Sequence, residues 1–367
     1  MPRARDLGLP LAGRPGAHNA ITDVPGVRVG HRTVVRDPGI RTGVTAVVPG
    51  ATPVSPLPAG VFTGNGHGKL VGATQLAELG LLESPVVLTS TLSAFRAADA
   101  LVTWMLARPD CAGVRTFNPV VGECNDGHLS DIRARPITEA HVLEAVDTAT
   151  GGAVPEGCVG AGTGTVALGH KAGIGTSSRL AGPYTVGALV QANFAGTLRL
   201  PPATPGQPGR SPAITSPPGR PLPSPAGPLE TDRPSTGSPA PGAAQAPFPG
   251  PPAPVAAGDD GEAGSCMVVV ATDAPLDARQ LTRVARRAVF ALARVGAAYT
   301  HGSGDYGIAF SVRPGGAPVP DASLSPLFEA TLDAVEEAVL NSLFTATTTT
   351  GVHGRTAHAV PLPGAAP

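Results

Sequence analysis

The chain has 367 residues, more than one domain usually contains, so its length is compatible with one large domain plus a linker or with two domains. A formal net charge of -1 gives no indication of nucleic acid or an anionic membrane as a partner. No run of about 18 or more apolar residues is present, so we expect no membrane span.

The cysteines and the N-terminal residues give an indication of the cellular compartment. The four cysteines are widely spaced and form no C-x-x-C pair; they are Cys111, Cys124, Cys158 and Cys266. This pattern favours a reduced protein with small buried thiols over a disulfide or zinc framework. Because the N-terminus also lacks the apolar core of a signal peptide, we expect a cytoplasmic protein.

The first half of the chain alternates short apolar strands with helices. Residues 1–18 read as a poorly anchored leader, and residues 62–69 as a loop too rich in glycine for regular structure. Strands are predicted at 27–31, 44–48, 85–88 and 184–194, and helices at 72–80, 94–107 and 138–148. The alternation of strand and helix predicts mixed α/β layers.

Two glycine-rich segments superficially suggest phosphate binding. Residues 62–69 fit neither G-x-G-x-x-G nor a Walker sequence, and a dinucleotide fingerprint starting at Gly160 would need glycine or alanine where Thr165 stands. We therefore expect no nucleotide cofactor.

A change of composition marks residues 201–260, where about one residue in three is proline and no apolar periodicity survives. Such a segment buries too little apolar surface to offset its ordering entropy, so we expect a disordered linker. A structureless insertion of this length is unusual inside a compact domain. It becomes reasonable if the chain is cut nearby, since the insertion is then a tail.

After the linker, residues 265–272 predict a strand and 276–295 an amphipathic helix. A polar loop at 301–305 leads to a strand at 306–312, and the last helix is predicted at 324–343. Gly264-Ser265 stands at the junction of linker and strand. The serine hydroxyl could attack the Gly264 carbonyl, and hydrolysis of the resulting ester would make Ser265 a new N-terminus. Its α-amine, with a pKa near ~7.7–8.0, could then act as base for its own hydroxyl.

Eight segments together resemble the P1 or DmpA-type family of self-processing aminopeptidases, which includes L-aminopeptidase/D-esterases and β-peptidyl aminopeptidases. They are residues 22–31, 64–66, 123–127, 160–164, 173–176, 190–193, 264–265 and 302–305. No single segment is specific, but their order and combination are.

The resemblance implies an αββα sandwich related to N-terminal nucleophile hydrolases. It implies an α chain comprising residues 1–200 and the linker 201–264, and a β chain at 265–367 that completes the same catalytic domain. It also implies a homo-oligomer of αβ units that needs no metal or organic cofactor.

The resemblance also implies the roles of five residues. Ser265 is the expected nucleophile, and Asn193 matches the asparagine that stabilises the oxyanion. Ser303 and Asp305 fall where the family has a serine and an acidic residue that hold the nucleophile's amine. The comparable acidic residue is often glutamate, so Asp305 is a departure. Lys171 resembles a lysine implicated in some branches, where it would stabilise the oxyanion or tune local charge.

Several alternatives remain open from the sequence. The substrate could be an L-aminoacyl amide, a D-aminoacyl ester, a β-peptide, a pantetheine-like amide or an oligoamide. His128 stands near where aminopeptidase members carry an aromatic residue; we expect His128, His67 and His301 to be structural or solvated. From another class, the chain could be an uncleaved, non-catalytic protein that binds a ligand or partner.

Overall fold

The computed structural model describes residues 1–201, 264–315 and 317–361, so all of the predicted linker except its two end residues lies outside the described part. The strands are β1 (Arg28–Arg36), β2 (Ile40–Val48), β3 (Leu57–Gly66), β4 (Leu81–Leu82), β5 (Val86–Ser90), β6 (Val120–Cys124), β7 (Val166–Ala167), β8 (His170–Lys171), β9 (Ile174–Ala181), β10 (Tyr184–Asn193), β11 (Ser265–Thr272), β12 (Gly304–Ser311), β13 (Thr349–Thr350) and β14 (Thr356–Ala357). The helices are α1 (Ala73–Glu78), α2 (Ala94–Leu106), α3 (Glu139–Asp147), α4 (Ala278–Ala291) and α5 (Ser325–Phe344).

Two sheets contain most of these strands. One has six strands in the order β4-β3-β12-β11-β10-β9, and the other has four in the order β1-β2-β5-β6. In the larger sheet β11 pairs in parallel with β12 and antiparallel with β10. The strand that begins at Ser265 is therefore central.

The sheets and helices form four layers with three cores. Helices α4 and α5 cover the six-stranded sheet, with Val268 and Val284 in the core between them. Helices α2 and α3 cover the four-stranded sheet, where Val87 and Leu101 share a core. Between the sheets lies a third core, which includes Met267. The predicted αββα sandwich is confirmed.

The predicted helices follow from apolar periodicity. The residues predicted to face inward on the helix at 276–295 are all buried, although α4 ends at Ala291 and the last two follow it; they are Leu281, Val284, Ala285, Ala288, Leu292 and Val295. The helix begins after Asp277, whose carboxylate accepts a hydrogen bond from the backbone N–H of Gln280 at 2.7 Å. No helix in the described ranges is both long and apolar enough to cross a bilayer.

The prediction of an irregular loop at residues 62–69 was wrong, because β3 extends to Gly66. The glycines serve helix packing. A Cβ on Gly60 would lie 2.3 Å from the backbone nitrogen of Thr282 in α4, and one on Gly64 would lie 2.5 Å from a methyl carbon of Val289. Glycine here permits close approach of α4 to the strand and does not interrupt the strand.

The expectation of a poorly anchored leader at residues 1–18 was also wrong. Arg3 forms an ion pair with Glu156 at 2.7 Å, and Arg5 forms one with Glu337 at 2.9 Å. Glu337 is fully buried and also pairs with the buried Arg179 at 2.7 Å. These long-range pairs, which the local composition does not reveal, fasten the segment to β9 and α5.

Candidate active site

Ser265 is the first residue of β11 and lies between two neighbouring strands. It is directly opposite Asn193 on antiparallel β10 and beside Gly304 on parallel β12. Residues directly opposite each other on antiparallel strands point their side chains to the same face. The Ser265 hydroxyl and the Asn193 amide therefore share one face of the sheet. The next residue, Cys266, belongs to the core under the helices, so its thiol points to the other face, as predicted.

The Asn193 amide has a defined orientation. Its Oδ1 accepts a hydrogen bond from the backbone N–H of Val166 at 3.0 Å, and its Nδ2 donates one to the carbonyl of Asn125 at 3.0 Å. A backbone N–H can only donate and a carbonyl can only accept, so these partners fix which end is which. Because Nδ2 carries two hydrogens and has one acceptor among the residues that the structure describes, its second N–H can donate to a further acceptor.

Ser303 and Asp305 flank Gly304, the residue beside the nucleophile. The Ser303 hydroxyl donates to Asp305 Oδ1 at 2.8 Å, and both side chains are buried. Asp305 Oδ2 has no hydrogen-bond partner among the residues that the structure describes. Burial raises the pKa of Asp305. The site thus contains a buried carboxylate oxygen that can accept a further donor.

Strand alternation decides which part of Ser265 this carboxylate faces. Asp305 pairs with Cys266 across the parallel ladder, so its side chain lies on the helix-covered face, opposite the Ser265 hydroxyl. The backbone nitrogen of Ser265 lies in the sheet, where groups on both faces can approach it. Asp305 and Asn193 therefore lie on opposite faces of the sheet at Ser265, one near its backbone nitrogen and the other on the side of its hydroxyl.

Lys171 lies on β8, next to the backbone that holds the Asn193 amide. It pairs with Val166, whose N–H holds the Asn193 amide. Its fully buried ammonium donates to the carbonyl oxygen of Gly162 at 3.1 Å and to that of Ala172. Burial lowers the pKa of Lys171. The structure therefore brings together Ser265, Asn193, Ser303 and Asp305, and puts Lys171 in the layer that supports Asn193.

The peptide bond before the nucleophile is held from β12. The backbone N–H of Gly304 donates to the carbonyl oxygen of Gly264 at 3.2 Å. A Cβ on Gly304 would lie 2.4 Å from Cα of Gly68 and 3.3 Å from Oγ of Ser265. Position 304 needs glycine because the loop that contains Gly68 packs directly against it, next to Ser265.

That loop leads to an acidic residue, Glu123, that the sequence analysis did not select as a site residue. Glu123 lies on β6, and only 1% of it is exposed. Its Oε1 accepts the backbone N–H of Lys69 at 2.8 Å, and the Thr91 hydroxyl donates to its Oε2. Burial raises the pKa of Glu123. A glutamate within an otherwise apolar strand was the signal that could have identified it.

Glu123 is close to the nucleophile across the space between the sheets. Its Oε1 would lie 3.2 Å from a Cβ on Gly68, the residue packed against Gly304. The Tyr306 hydroxyl donates to the carbonyl of Gly68 at 2.9 Å and holds the loop there. Glu123, whose Oε1 also lies 3.8 Å from the ammonium of Lys69, is thus separated from Ser265 by Gly68 and Gly304.

A pocket of about 330 Å³ opens beside Asn193 and Gly264. Its wall combines apolar and polar groups, namely Asn125, Gly127, His128, Ile132, Val166, Leu168, Gly169, Phe194 and Ala195. His128, expected from the sequence to be structural or solvated, lines this pocket. The pocket can take a small organic group next to Asn193 and Gly264.

Comparison with known proteins places this geometry in a family. The family model for peptidase family S58 matches residues 19–357. Beta-peptidyl aminopeptidase BapA of Sphingosinicella microcystinivorans is 40% identical, over 98% of this chain and 90% of that protein. The BapA protein of Sphingosinicella xenopeptidilytica is 35% identical, over 98% of this chain and 89% of that protein.

A solved structure is similar to this chain in both fold and sequence. The L-aminopeptidase D-Ala-esterase/amidase from Ochrobactrum anthropi, described as a prototype for the serine aminopeptidases and a new variant of the Ntn hydrolase fold, superposes with a TM-score of 0.78. It is 35% identical, covering 98% of this chain and 96% of that one.

These findings define the class of protein: the chain is an enzyme, a serine-type aminopeptidase with a variant of the Ntn hydrolase fold. It belongs to peptidase family S58. The family resemblance stated from the sequence is confirmed, and the alternative of a non-catalytic binding protein is set aside.

Proposed function

We propose that this chain cuts itself between Gly264 and Ser265 and then hydrolyses small β-aminoacyl and related aminoacyl amides through an ester on Ser265. The mature enzyme is one catalytic domain made of an α chain (1–264) and a β chain (265–367), assembled in the cytoplasm into an oligomer of αβ units. The observation that carries the proposal is Ser265 at the first position of a central strand, opposite Asn193.

Self-cleavage begins at the Gly264 carbonyl. The Ser265 hydroxyl attacks this carbon, its proton passes to the backbone nitrogen of Ser265, and the C–N bond breaks as the acyl group moves from nitrogen to oxygen. The Gly304 N–H, already 3.2 Å from the carbonyl oxygen, stabilises the negative charge that develops there. Water then hydrolyses the ester, which leaves a carboxylate on Gly264 and a free α-amine on Ser265.

In turnover the α-amine takes the proton of the Ser265 hydroxyl as Oγ attacks the substrate carbonyl. The free N–H of Asn193 Nδ2 donates to the oxyanion, and Lys171 supports this amide indirectly, through the β7–β8 pair. Collapse breaks the amide bond, and the ammonium of Ser265 returns the proton to the leaving amine. Water hydrolyses the acyl ester by the same route in reverse.

Asp305 and Ser303 hold the amine in position. A buried carboxylate with one unpartnered oxygen stabilises an ammonium and so raises the amine's pKa. The Ser303 hydroxyl orients that carboxylate through its 2.8 Å hydrogen bond.

Replacing Asp305 by asparagine should move the acidic limb of the kcat/KM profile to lower pH. The amine acts as a base only when neutral, that is, above its own pKa. Removing the negative charge lowers that pKa, so the neutral form persists to lower pH. We expect kcat at the optimum to fall as well, because the amine is less well held. The measurement is a pH-rate profile of the cleaved variant.

The matched control for that profile is Asp305→Glu, which keeps the charge and should keep the limb near its wild-type position. An Asp305→Asn profile that coincides with wild type would show that the carboxylate does not act on the base.

Glu123 supports a substrate with a free amino group. An aminopeptidase must attract an ammonium close to the scissile carbonyl, and Glu123 is a buried carboxylate near Gly304. The relatives are named as aminopeptidases, which fits this role.

The Glu123→Gln variant should raise KM for β-alanyl p-nitroanilide by about 10- to 100-fold, since a hydrogen bond to a charged group is worth roughly 1.5–3 kcal/mol. The effect on kcat should be smaller, because the ammonium is bound in both ground and transition states. Steady-state kinetics check this. A fall in kcat with unchanged KM would assign Glu123 to the chemical step instead.

The substrate class is tested with a panel of p-nitroanilides. β-Alanyl and L-aminoacyl derivatives should be cleaved, with pantetheine as the comparison for the alternative amide class. The N-acetylated form of the best substrate should not react, because it has no ammonium for Glu123. Cleavage of pantetheine alone, or of acetylated and free substrates at equal rates, would contradict the proposal.

A further inference from the structure

Two histidines that the catalytic account does not use lie beside each other above the active site. The ring centroids of His67 and His301 are 6.3 Å apart, with the ring planes inclined by 54°. Both residues are exposed. They come from separate parts of the chain, one just after β3 and the other just before β12.

Both histidines stand on loops that are tied to each other and to the catalytic residues. The backbone N–H of His67 donates to the carbonyl of Ser303 at 3.2 Å. The side-chain amide of Asn65 donates to the carbonyl of Thr300 at 2.5 Å. Gly68, the next residue after His67, packs on Gly304 beside the nucleophile. A ligand held by both rings would therefore fasten two loops next to Ser265.

We propose that His67 and His301 form a binding site for a divalent first-row transition metal such as Zn²⁺, and that the bound ion inhibits hydrolysis reversibly. Imidazole nitrogen is a preferred ligand for Zn²⁺, and a pair of imidazoles with water completing the coordination makes a partial site. The ion takes no part in the chemistry of Ser265.

The ring separation suits such an ion after a small movement. Zn–N bonds of about 2.0–2.1 Å and a tetrahedral angle put two ring centroids about 5 Å apart, and a wider angle puts them about 6 Å apart. The observed 6.3 Å lies slightly above that range. Exposed side chains on loops can close the difference by a change of torsion angle.

We expect inhibition because both histidine loops continue into residues that lie next to Ser265. The His67 loop continues into Gly68, which covers Gly304, and the His301 loop continues into Ser303. Cross-linking the loops restricts their motion and adds positive charge near the place where the substrate's ammonium must enter. We therefore expect zinc to act mainly on the apparent KM.

The test combines a binding assay with kinetics on the mature enzyme. Zinc affinity is measured by competition with a chromogenic chelator, and initial rates with β-alanyl p-nitroanilide are recorded against zinc concentration. His67→Ala and His301→Ala should each weaken zinc binding by about tenfold or more, because even indirect partners of a metal ion are typically worth that much. The inhibitory concentration should rise in parallel, and EDTA should restore the wild-type rate.

Two controls separate this site from others. His18→Ala removes an exposed histidine that lies outside these two loops, beside Arg3 and Gly152, and should leave zinc affinity and inhibition unchanged. Mg²⁺, which prefers oxygen ligands, should neither bind to the pair nor inhibit. Without zinc, the two variants should keep wild-type activity, which shows that they are folded.

Zinc affinity that is unchanged in both variants would overturn the proposal. Binding that is lost without any change in inhibition would overturn its inhibitory part. The chelator assay does not need turnover, so it can fail or succeed independently of the proposed hydrolase activity.

Discussion

The Ser265→Ala variant is expected to remain a single chain of full length and to hydrolyse no substrate. The hydroxyl is the only group of residue 265 that can attack the Gly264 carbonyl, and without the cut no free amine exists at that position. Both losses follow from one missing oxygen atom. Denaturing gel electrophoresis and a p-nitroanilide assay measure them together, and the loss of rate should reach the detection limit.

The control for that variant is Cys266→Ala. Cys266 is the neighbouring nucleophile, but its thiol is buried in the core under α4 and α5, on the face away from Asn193. Burial raises its pKa well above the usual value, so it is a thiol and not a thiolate. This variant should cleave and turn over. If the Ser265→Ala protein were still cleaved and the Cys266→Ala protein remained uncleaved, Cys266 and not Ser265 would be the nucleophile.

The Asn193→Ala variant should lose about 10²–10³-fold in kcat, the cost of about 2.7–4 kcal/mol that follows removal of one oxyanion donor. KM should change little, because the amide acts on charge that appears in the transition state. Cleavage of the precursor should persist, since the Gly264 carbonyl is held by Gly304 N–H and not by Asn193. The mature variant is then available for kinetics.

Asn193→Asp separates the donor role from a structural one. The aspartate keeps an acceptor for the N–H of Val166 but has no N–H to donate to an oxyanion. We expect its kcat to be at least as impaired as that of the alanine variant, and its thermal stability to fall as well, because the carboxylate cannot donate to the carbonyl of Asn125. An aspartate variant with nearly full kcat would exclude Asn193 as the oxyanion donor.

Much of the fold could be predicted locally. Residues 265–272 are a run of β-branched and small apolar residues, and the predicted strand coincides with β11. Helix α2 was predicted at 94–107 from alanine and leucine at 3–4 spacing, and it ends within one residue of that prediction. In both segments the periodicity agrees with burial in a layered core.

The errors came from contacts between distant residues. The glycines in β3 were interpreted as part of a loop, whereas they allow α4 to pack closely against the strand. Residues 1–18 were predicted to be poorly anchored because Glu337, the partner of Arg5, is more than 300 residues away in the sequence. Glu123 stood in a segment that carried the family resemblance. Its nearness to Gly304, however, depends on how two sheets stack, and no local pattern reports that.

For the candidate site, the sequence indicated which residues to consider, but their positions relative to one another come from the structure. Asn193 and Ser265 proved to be directly opposite each other, a register that sequence spacing cannot give across a linker. Lys171 occupies a supporting layer, where carbonyl oxygens of Gly162 and Ala172 hold its ammonium. The five residues thus divide into Ser265, three residues that lie around it, and Lys171 beside the backbone that holds the Asn193 amide.

The most direct test of the account is the N-terminal sequence of the smaller fragment, followed over time beside activity. Freshly synthesised wild-type protein should show a fragment beginning Ser-Cys-Met-Val, and hydrolysis should appear at the same rate as that fragment. Full activity in an uncut chain, or a fragment that begins at another residue, would contradict it.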